Sequence, residues 1–155
     1  MMPVYRFVQM DDDDAREVSR WHYQVPYDFY DWTSDPDDLA ELLDPARRGG
    51  SYFSALDEEG DLVGFFEFEK EGETVDVGLG LRPDLTGKGL GLGYLLAGLE
   101  FARERFSPGR FTLAVATFNE RAIEVYERAG FRRGAVYTHH TNGADFQFLA
   151  MAREA

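Results

Sequence analysis

Seven short runs rich in β-branched and aromatic residues and four amphipathic runs divide the chain, and their order predicts its elements. Val4, Tyr5, Phe7 and Val8 mark a first strand over Pro3–Met10. Four aspartates, Asp11–Asp14, then precede Ala15-Arg16-Glu17-Val18 and read as a helix N-terminus, where carboxylates satisfy free amides and meet the positive end of the dipole. The same run fails as a calcium loop. Counted from Asp11, the sixth position is Arg16 rather than glycine, and the twelfth is His22 rather than glutamate. Asp35-Pro36 opens a second helix that ends near Leu43, and Arg48-Gly49-Gly50 breaks the pattern. Ser51–Leu56, Leu62–Glu69 and Thr74–Leu81 are strands separated by turns at Glu58–Asp61 and Lys70–Glu73, an antiparallel meander. A helix from about Leu90 to Phe106 follows, with Leu92, Leu95, Leu96 and Leu99 at i, i+3, i+4 and i+7 on one buried face. Phe111–Ala116 is a strand, and Asn119–Ala129 is a helix stopped by Gly130. Arg133–His140 and Phe146–Ala152 are a closing pair of strands around Asn142-Gly143.

The order is therefore β-α-α-β-β-β-α-β-α-β-β. It predicts a single α/β domain over residues 1–155, built in the α+β manner as a mixed sheet with helices on its faces. It fits neither a doubly wound parallel sheet nor a barrel. A chain of 155 residues, 44% hydrophobic and 15% aromatic, is long and apolar enough to bury one core. The longest apolar candidate, Leu90–Phe101, is interrupted by Gly91, Gly93, Gly98 and Glu100, short of the roughly 18–20 residues of a membrane span. The first residues lack the charged start and apolar stretch of a secretion signal, so a cytoplasmic location is the expectation.

Charge and cysteine content narrow the chemistry. The net charge of -13 disfavours nucleic acid and anionic membranes as partners. It favours a cationic substrate, or else serves solubility or a salty cytoplasm. Lys70 and Lys88 are the only lysines, against fourteen arginines. The absence of cysteine excludes disulfides, thiolate metal sites and cysteine nucleophiles. His139 and His140 alternate across a strand and read as surface or core residues, so no metal is expected. There is no Gly-x-Ser-x-Gly elbow.

The most informative segment is Leu79-Gly-Leu-Arg-Pro-Asp-Leu-Thr-Gly-Lys-Gly-Leu-Gly91. A strand ends, the chain turns at Pro83, and Gly87, Gly89 and Gly91 open a long helix. Glycine allows positive φ and presents no Cβ to a ligand, and free amides at a helix N-terminus cradle an anion. Lys88 adds a cation. A Walker loop is excluded because Gly87-Lys88 is followed by Gly89 and position 82 is arginine. A dinucleotide fingerprint is excluded because Leu92 and Tyr94 stand where its last glycine belongs.

These residues resemble the acetyl-CoA motif of the GNAT superfamily of N-acetyltransferases, Gln/Arg-x-x-Gly-x-Gly/Ala. Gly89 and Gly91 match it, and Thr86 stands in place of the Gln or Arg. A second segment, Asn119-Glu-Arg-Ala-Ile-Glu-Val-Tyr126-Glu-Arg-Ala-Gly-Phe131, is similar to the family's Asn-x-x-Ala-x-x-x-Tyr-x-x-x-Gly-Phe helix. The resemblance implies acetyl transfer from acetyl-CoA to an amine, with no metal and no covalent enzyme intermediate. It implies that Thr86, Gly87, Lys88, Gly89, Leu90 and Gly91 bind the diphosphate, and that backbone groups of Leu79 and Leu81 bind the pantetheine. It implies that Asn119 contacts the same arm and that Tyr126 protonates the departing thiolate. Asn119 also reads as a helix cap, and Tyr126 as a core aromatic.

An attacking amine must lose a proton. The resemblance puts a carboxylate on the central strands, where Glu67 and Asp76 are the candidates, Glu67 first; each also reads as part of a solvated strand face. Gly78 and Gly80 leave room for the acyl arm, or mark a bulge. The aromatic stretch that includes Trp21, Tyr27, Tyr30 and Trp32 falls where the family builds its acceptor wall, suiting an amine with an apolar body, small molecule or peptide. It reads equally as packing of a long connection. The resemblance also makes a homodimer possible. A non-catalytic CoA-binding sensor with the same fold is the alternative.

Overall fold

The computed structural model describes residues 3–155. Strand β1 (Arg6–Gln9) leads to helix α1 (Asp12–Ser19), whose N-terminus Asp11 caps by accepting from the Asp14 amide at 2.8 Å. Two short 3-10 turns, Tyr27–Tyr30 and Trp32–Ser34, carry the aromatic stretch to α2 (Pro36–Leu43), capped by Asp35. One turn of helix not anticipated from the pattern, α3 (Pro45–Arg48), follows. It buries Arg48, which pairs with Asp12 and donates to the Leu42 carbonyl at 2.6 Å, tying this turn back to α1 and α2. Next come β2 (Tyr52–Leu56), β3 (Leu62–Glu71), β4 (Thr74–Leu81), α4 (Gly91–Phe106), β5 (Arg110–Ala116), α5 (Glu120–Arg128), β6 (Arg132–Thr141) and β7 (Ala144–Glu154).

The strands form one seven-stranded sheet in the order β1-β2-β3-β4-β5-β7-β6. Neighbours are antiparallel except β4 and β5, whose parallel ladder runs only from Thr74 to Asp76 against Arg110 to Thr112. Beyond Asp76 the two strands part. The sheet is thereby closed at one end and split at the other.

Alternation along β3 assigns the two faces. Phe66 and Phe68 join Phe53, Phe111 and the buried side of α4 in the main core, while Phe65 faces a smaller cluster under α1 and α2. Helix α4 buries Tyr94, Leu95, Gly98, Leu99 and Ala102, a stripe rotated from the expected leucine row; Leu96 is exposed. The reason is Tyr94, whose single hydroxyl proton is shared between the carbonyls of Phe65 and Gly80 at 3.0 Å each, so a buried polar tip is satisfied deep in the sheet.

Gly98 lets α4 approach that sheet. A Cβ there would lie 2.2 Å from the Phe66 ring, which is fully buried. In an open helix Gly→Ala stabilises. Here Gly98→Ala is expected to destabilise by about 1–3 kcal/mol through overpacking, seen as a lowered thermal midpoint; an unchanged or raised midpoint would refute this packing account.

Candidate functional site

A cavity of about 540 Å³ occupies the split between β4 and β5. Its walls are Val77–Leu81 on one side and Leu113–Val115 on the other, with the glycine loop at one mouth and α5 alongside. The backbone of β4 is prepared for a ligand. The Arg82 amide donates to the Val63 carbonyl at 2.8 Å, so Arg82 faces β3. Alternation then turns the amide and carbonyl groups of Leu81 and Leu79 the other way, towards the place β5 has vacated. The Leu81 carbonyl indeed accepts from the Tyr23 hydroxyl at 2.6 Å instead of from a strand.

The glycine loop has the geometry of an anion cradle. Gly87 and Gly89 have φ of 71° and 76°, the left-handed region that favours glycine. An added Cβ at Gly89 would meet nothing within 4 Å, so the open approach is real. No side chain caps α4, leaving its first amides for a ligand. Thr86 lines the cavity, but its hydroxyl donates to the Pro83 carbonyl at 2.7 Å and so serves the loop itself. Leu90 and Gly91 line the cavity too; Lys88 is exposed and not among its lining residues.

Helix α5 contributes Asn119 and Tyr126. Asn119 is buried and does two things: its Oδ1 accepts from the Ala122 amide and its Nδ2 donates to the Tyr30 hydroxyl, both at 3.2 Å. Tyr126 lines the cavity with Val125 and Ala122. Burial, and then the neighbouring Tyr30, push its phenol above the ordinary tyrosine range. It therefore stays protonated at neutral pH.

Glu67 also lines the cavity. It pairs across the ladder with Tyr52 and Gly78, and its Oε1 is 3.6 Å from where a Gly78 Cβ would stand. Burial raises its pKa to about 7, helped by the charges of Glu69 and Glu41, while the Tyr52 hydroxyl opposes the shift. A Cβ at Gly80 would meet the Phe65 ring at 2.4 Å, whereas one at Gly78 would stand in ordinary contact with Glu67, and both glycines line the cavity. Gly80 thus makes room for the Phe65 ring.

Two expected site residues stand elsewhere. Asp76 is exposed at the closed end of the split, where it accepts from Thr112 at 2.7 Å, and it does not line the cavity. Trp21 is buried with Val18, Leu42 and Tyr52 in the smaller cluster, so it is packing rather than acceptor wall. Tyr27, Tyr30 and Trp32 do line the cavity.

Sequence reasoning counted Tyr23 only within the aromatic stretch and passed over Arg121 and the far end of the cavity. There Asp35 caps α2 with one oxygen and with the other accepts from Thr141 Oγ1 at 2.9 Å and the Asn142 amide at 3.2 Å. Asn142 in turn donates to the Phe29 carbonyl at 2.8 Å. The β6–β7 turn is thereby strapped to the aromatic segment, with Asp38 and His139 in the same wall. The cap at Asp35 was visible in Asp-Pro; its second partner, over a hundred residues away, left no local mark.

A split mixed sheet, a glycine loop opening α4 and an asparagine-capped α5 carrying a tyrosine form one arrangement. The sequence model of the acetyltransferase (GNAT) family matches residues 10–131. The chain belongs to this acetyltransferase family. Among curated relatives, the mycothiol acetyltransferase of Rhodococcus jostii (strain RHA1) is 32% identical over 149 residues, covering 84% of this chain and 45% of that protein. That of Clavibacter sepedonicus is 38% identical over 102 residues, 64% of this chain and 32% of that protein. The chain thus spans a third to just under half the length of these relatives. Among solved structures, the spermidine N-acetyltransferase of Vibrio cholerae in complex with CoA and spermine superposes with a TM-score of 0.78 at 19% identity, covering 97% of this chain and 95% of that one. A GNAT-family acetyltransferase from Bacillus anthracis gives 0.75 at 18%, covering 97% and 94%. At such identities the likeness is one of fold, and it extends over 97% of this chain. No helix among the described residues is long and apolar enough to cross a membrane.

Proposed function

We propose that the protein transfers the acetyl group of acetyl-CoA to a primary amine by direct attack, in a single ternary complex. The observation that carries this reading is the unpaired edge of β4, in a cavity whose wall holds both a proton acceptor, Glu67, and a proton donor, Tyr126. Acetyl-CoA supplies an acyl group activated as a thioester. Its diphosphate suits the amides of Gly87–Gly91 and the uncapped start of α4. Its pantetheine amides suit the backbone groups of Leu79 and Leu81 that face away from β3, where the Leu81 carbonyl already holds Tyr23, with Asn119 nearby.

An aliphatic amine is an ammonium ion in neutral water, with a pKa of roughly 10. Glu67, Asp35 and Asp38 line the end of the cavity where it would arrive, and the aromatic faces of Trp32 and Phe65 border its apolar part. Glu67, raised to about 7, takes the proton directly or through one water. The amine nitrogen bonds to the acyl carbon, the carbon–sulfur bond breaks, and the Tyr126 hydroxyl gives its proton to the sulfur; the second nitrogen proton, lost as the amide forms, restores the Tyr126 phenol, so coenzyme A leaves as the thiol. A peptide or a small molecule satisfies this geometry equally, provided the amine is primary and reaches Glu67.

Thermal denaturation tests the cofactor part. At about a hundred times its dissociation constant a ligand adds roughly 2.7 kcal/mol, several degrees for a domain of this size. CoA and acetyl-CoA are expected to raise the midpoint and NADH is not. No rise with either CoA species overturns the reading. Release of free thiol across a panel of amines then identifies the acceptor.

A further inference from the structure

We propose that Arg121 is the cation that holds the diphosphate of the co-substrate, reaching it from α5 rather than from the glycine loop. This rests on the acetyl-CoA reading above and adds to it a residue on a different element. The loop itself is short of cationic side chains directed at the ligand. Thr86 spends its hydroxyl on Pro83, and Lys88, though exposed nearby, is not part of the cavity wall.

Arg121 is in that wall. Among the described residues lining the cavity it is the one lysine or arginine, against four carboxylates, Asp31, Asp35, Asp38 and Glu67. Its Nη1 lies 3.7 Å from the position of a Gly87 Cβ, so the guanidinium sits against the cradle. It also borders a second cavity of about 410 Å³, shared with Tyr23, Pro83, Asp84 and Thr86.

Its placement is unfavourable without an anion. Arg121 is the second residue of α5, at the positive end of that helix dipole, where a cation is disfavoured. In a protein of net charge -13 it forms no ion pair among the described residues. What holds it is the face of Tyr27, whose ring centroid is 4.0 Å from the guanidinium carbon. That contact orients the charge and leaves its donors open. The glycine loop that opens the uncapped α4 and one exposed guanidinium from α5 then lie side by side at Gly87, which suits a diphosphate.

Calorimetric titration of CoA, dephospho-CoA and pantetheine into wild type and Arg121→Ala tests the assignment. Wild-type binding of CoA checks the underlying reading separately, and circular dichroism with the ligand-free thermal midpoint checks that the variant folds. With both in place, Arg121→Ala is expected to weaken CoA and dephospho-CoA by the same factor, about tenfold or more for the loss of a charge-assisted contact. Pantetheine affinity is expected to stay unchanged, and Arg121→Lys to recover part of the loss. A drop for CoA alone would move the contact to the 3′-phosphate and overturn the proposal. Equal loss with pantetheine, or no loss at all, would overturn it too, since the arginine would then act only on the packing of Tyr27 or not at all.

Discussion

Glu67→Gln is expected to lower kcat for acetyl transfer by a factor on the order of 10² to 10⁴, the usual range for removing a positioned general base. The substitution keeps the shape of the protonated acid over Gly78 but accepts no proton. The pH profile carries the more specific signature. With Glu67 raised to about 7, wild-type kcat/KM rises with pH up to about that value and then levels; the variant lacks this limb. Stability moves in the opposite sense from an ordinary carboxylate. The folded pKa lies above the usual 4.5, so between about 4.5 and 7 the native state binds more protons than the unfolded chain. Wild-type stability therefore falls as pH rises through that window, and Glu67→Gln, neutral throughout, does not follow it. The relative gain of the variant at pH 8 is about 1–2 kcal/mol, below the full linkage because the carboxylate is partly open to water. A variant with full turnover and an unchanged pH profile would remove Glu67 from the mechanism.

Tyr126→Phe is expected to reduce kcat about a hundredfold or more while leaving the affinity for CoA within about twofold of wild type. The ring packs against Phe131 and Val125 lies beside it, so phenylalanine preserves the wall and removes only the hydroxyl. Steady-state thiol release and calorimetry measure the two quantities. Equal losses in turnover and in CoA binding would assign the hydroxyl to holding the ligand. A protein that binds CoA and turns over no amine in either form would be a sensor.

The order of elements is legible in the sequence because each signal is local. The Asp35 and Asn119 caps, the stop at Gly130 and the Asn142-Gly143 turn are properties of a few adjacent residues, and the structure has each of them. The glycine loop is legible for the same reason, since positive φ at Gly87 and Gly89 requires the residue found there. The buried stripe of α4 is not, because a row of leucines carries no sign that the Tyr94 hydroxyl has two carbonyls waiting in the sheet. Trp21 and Trp32 look alike in a run of aromatics; only the path of the chain sends one under α1 and the other to the cavity. Glu67 and Asp76 are equivalent by alternation, and the length of the β4–β5 ladder separates them. The far wall, where Asp35 meets Thr141 and Asn142, is assembled across the whole chain and has no local pattern.

The three-residue ladder between β4 and β5 also has a mechanical meaning. It joins two plates, one of four strands and one of three, along a seam at a single edge, and α4 clasps them from one side. Glu67 rides on the first plate, on β3. Tyr126 hangs from α5, which leaves the second plate at the end of β5. On the proposed mechanism, the separation between the group that takes a proton and the group that gives one is therefore set by how the two plates meet at that seam rather than by either strand alone.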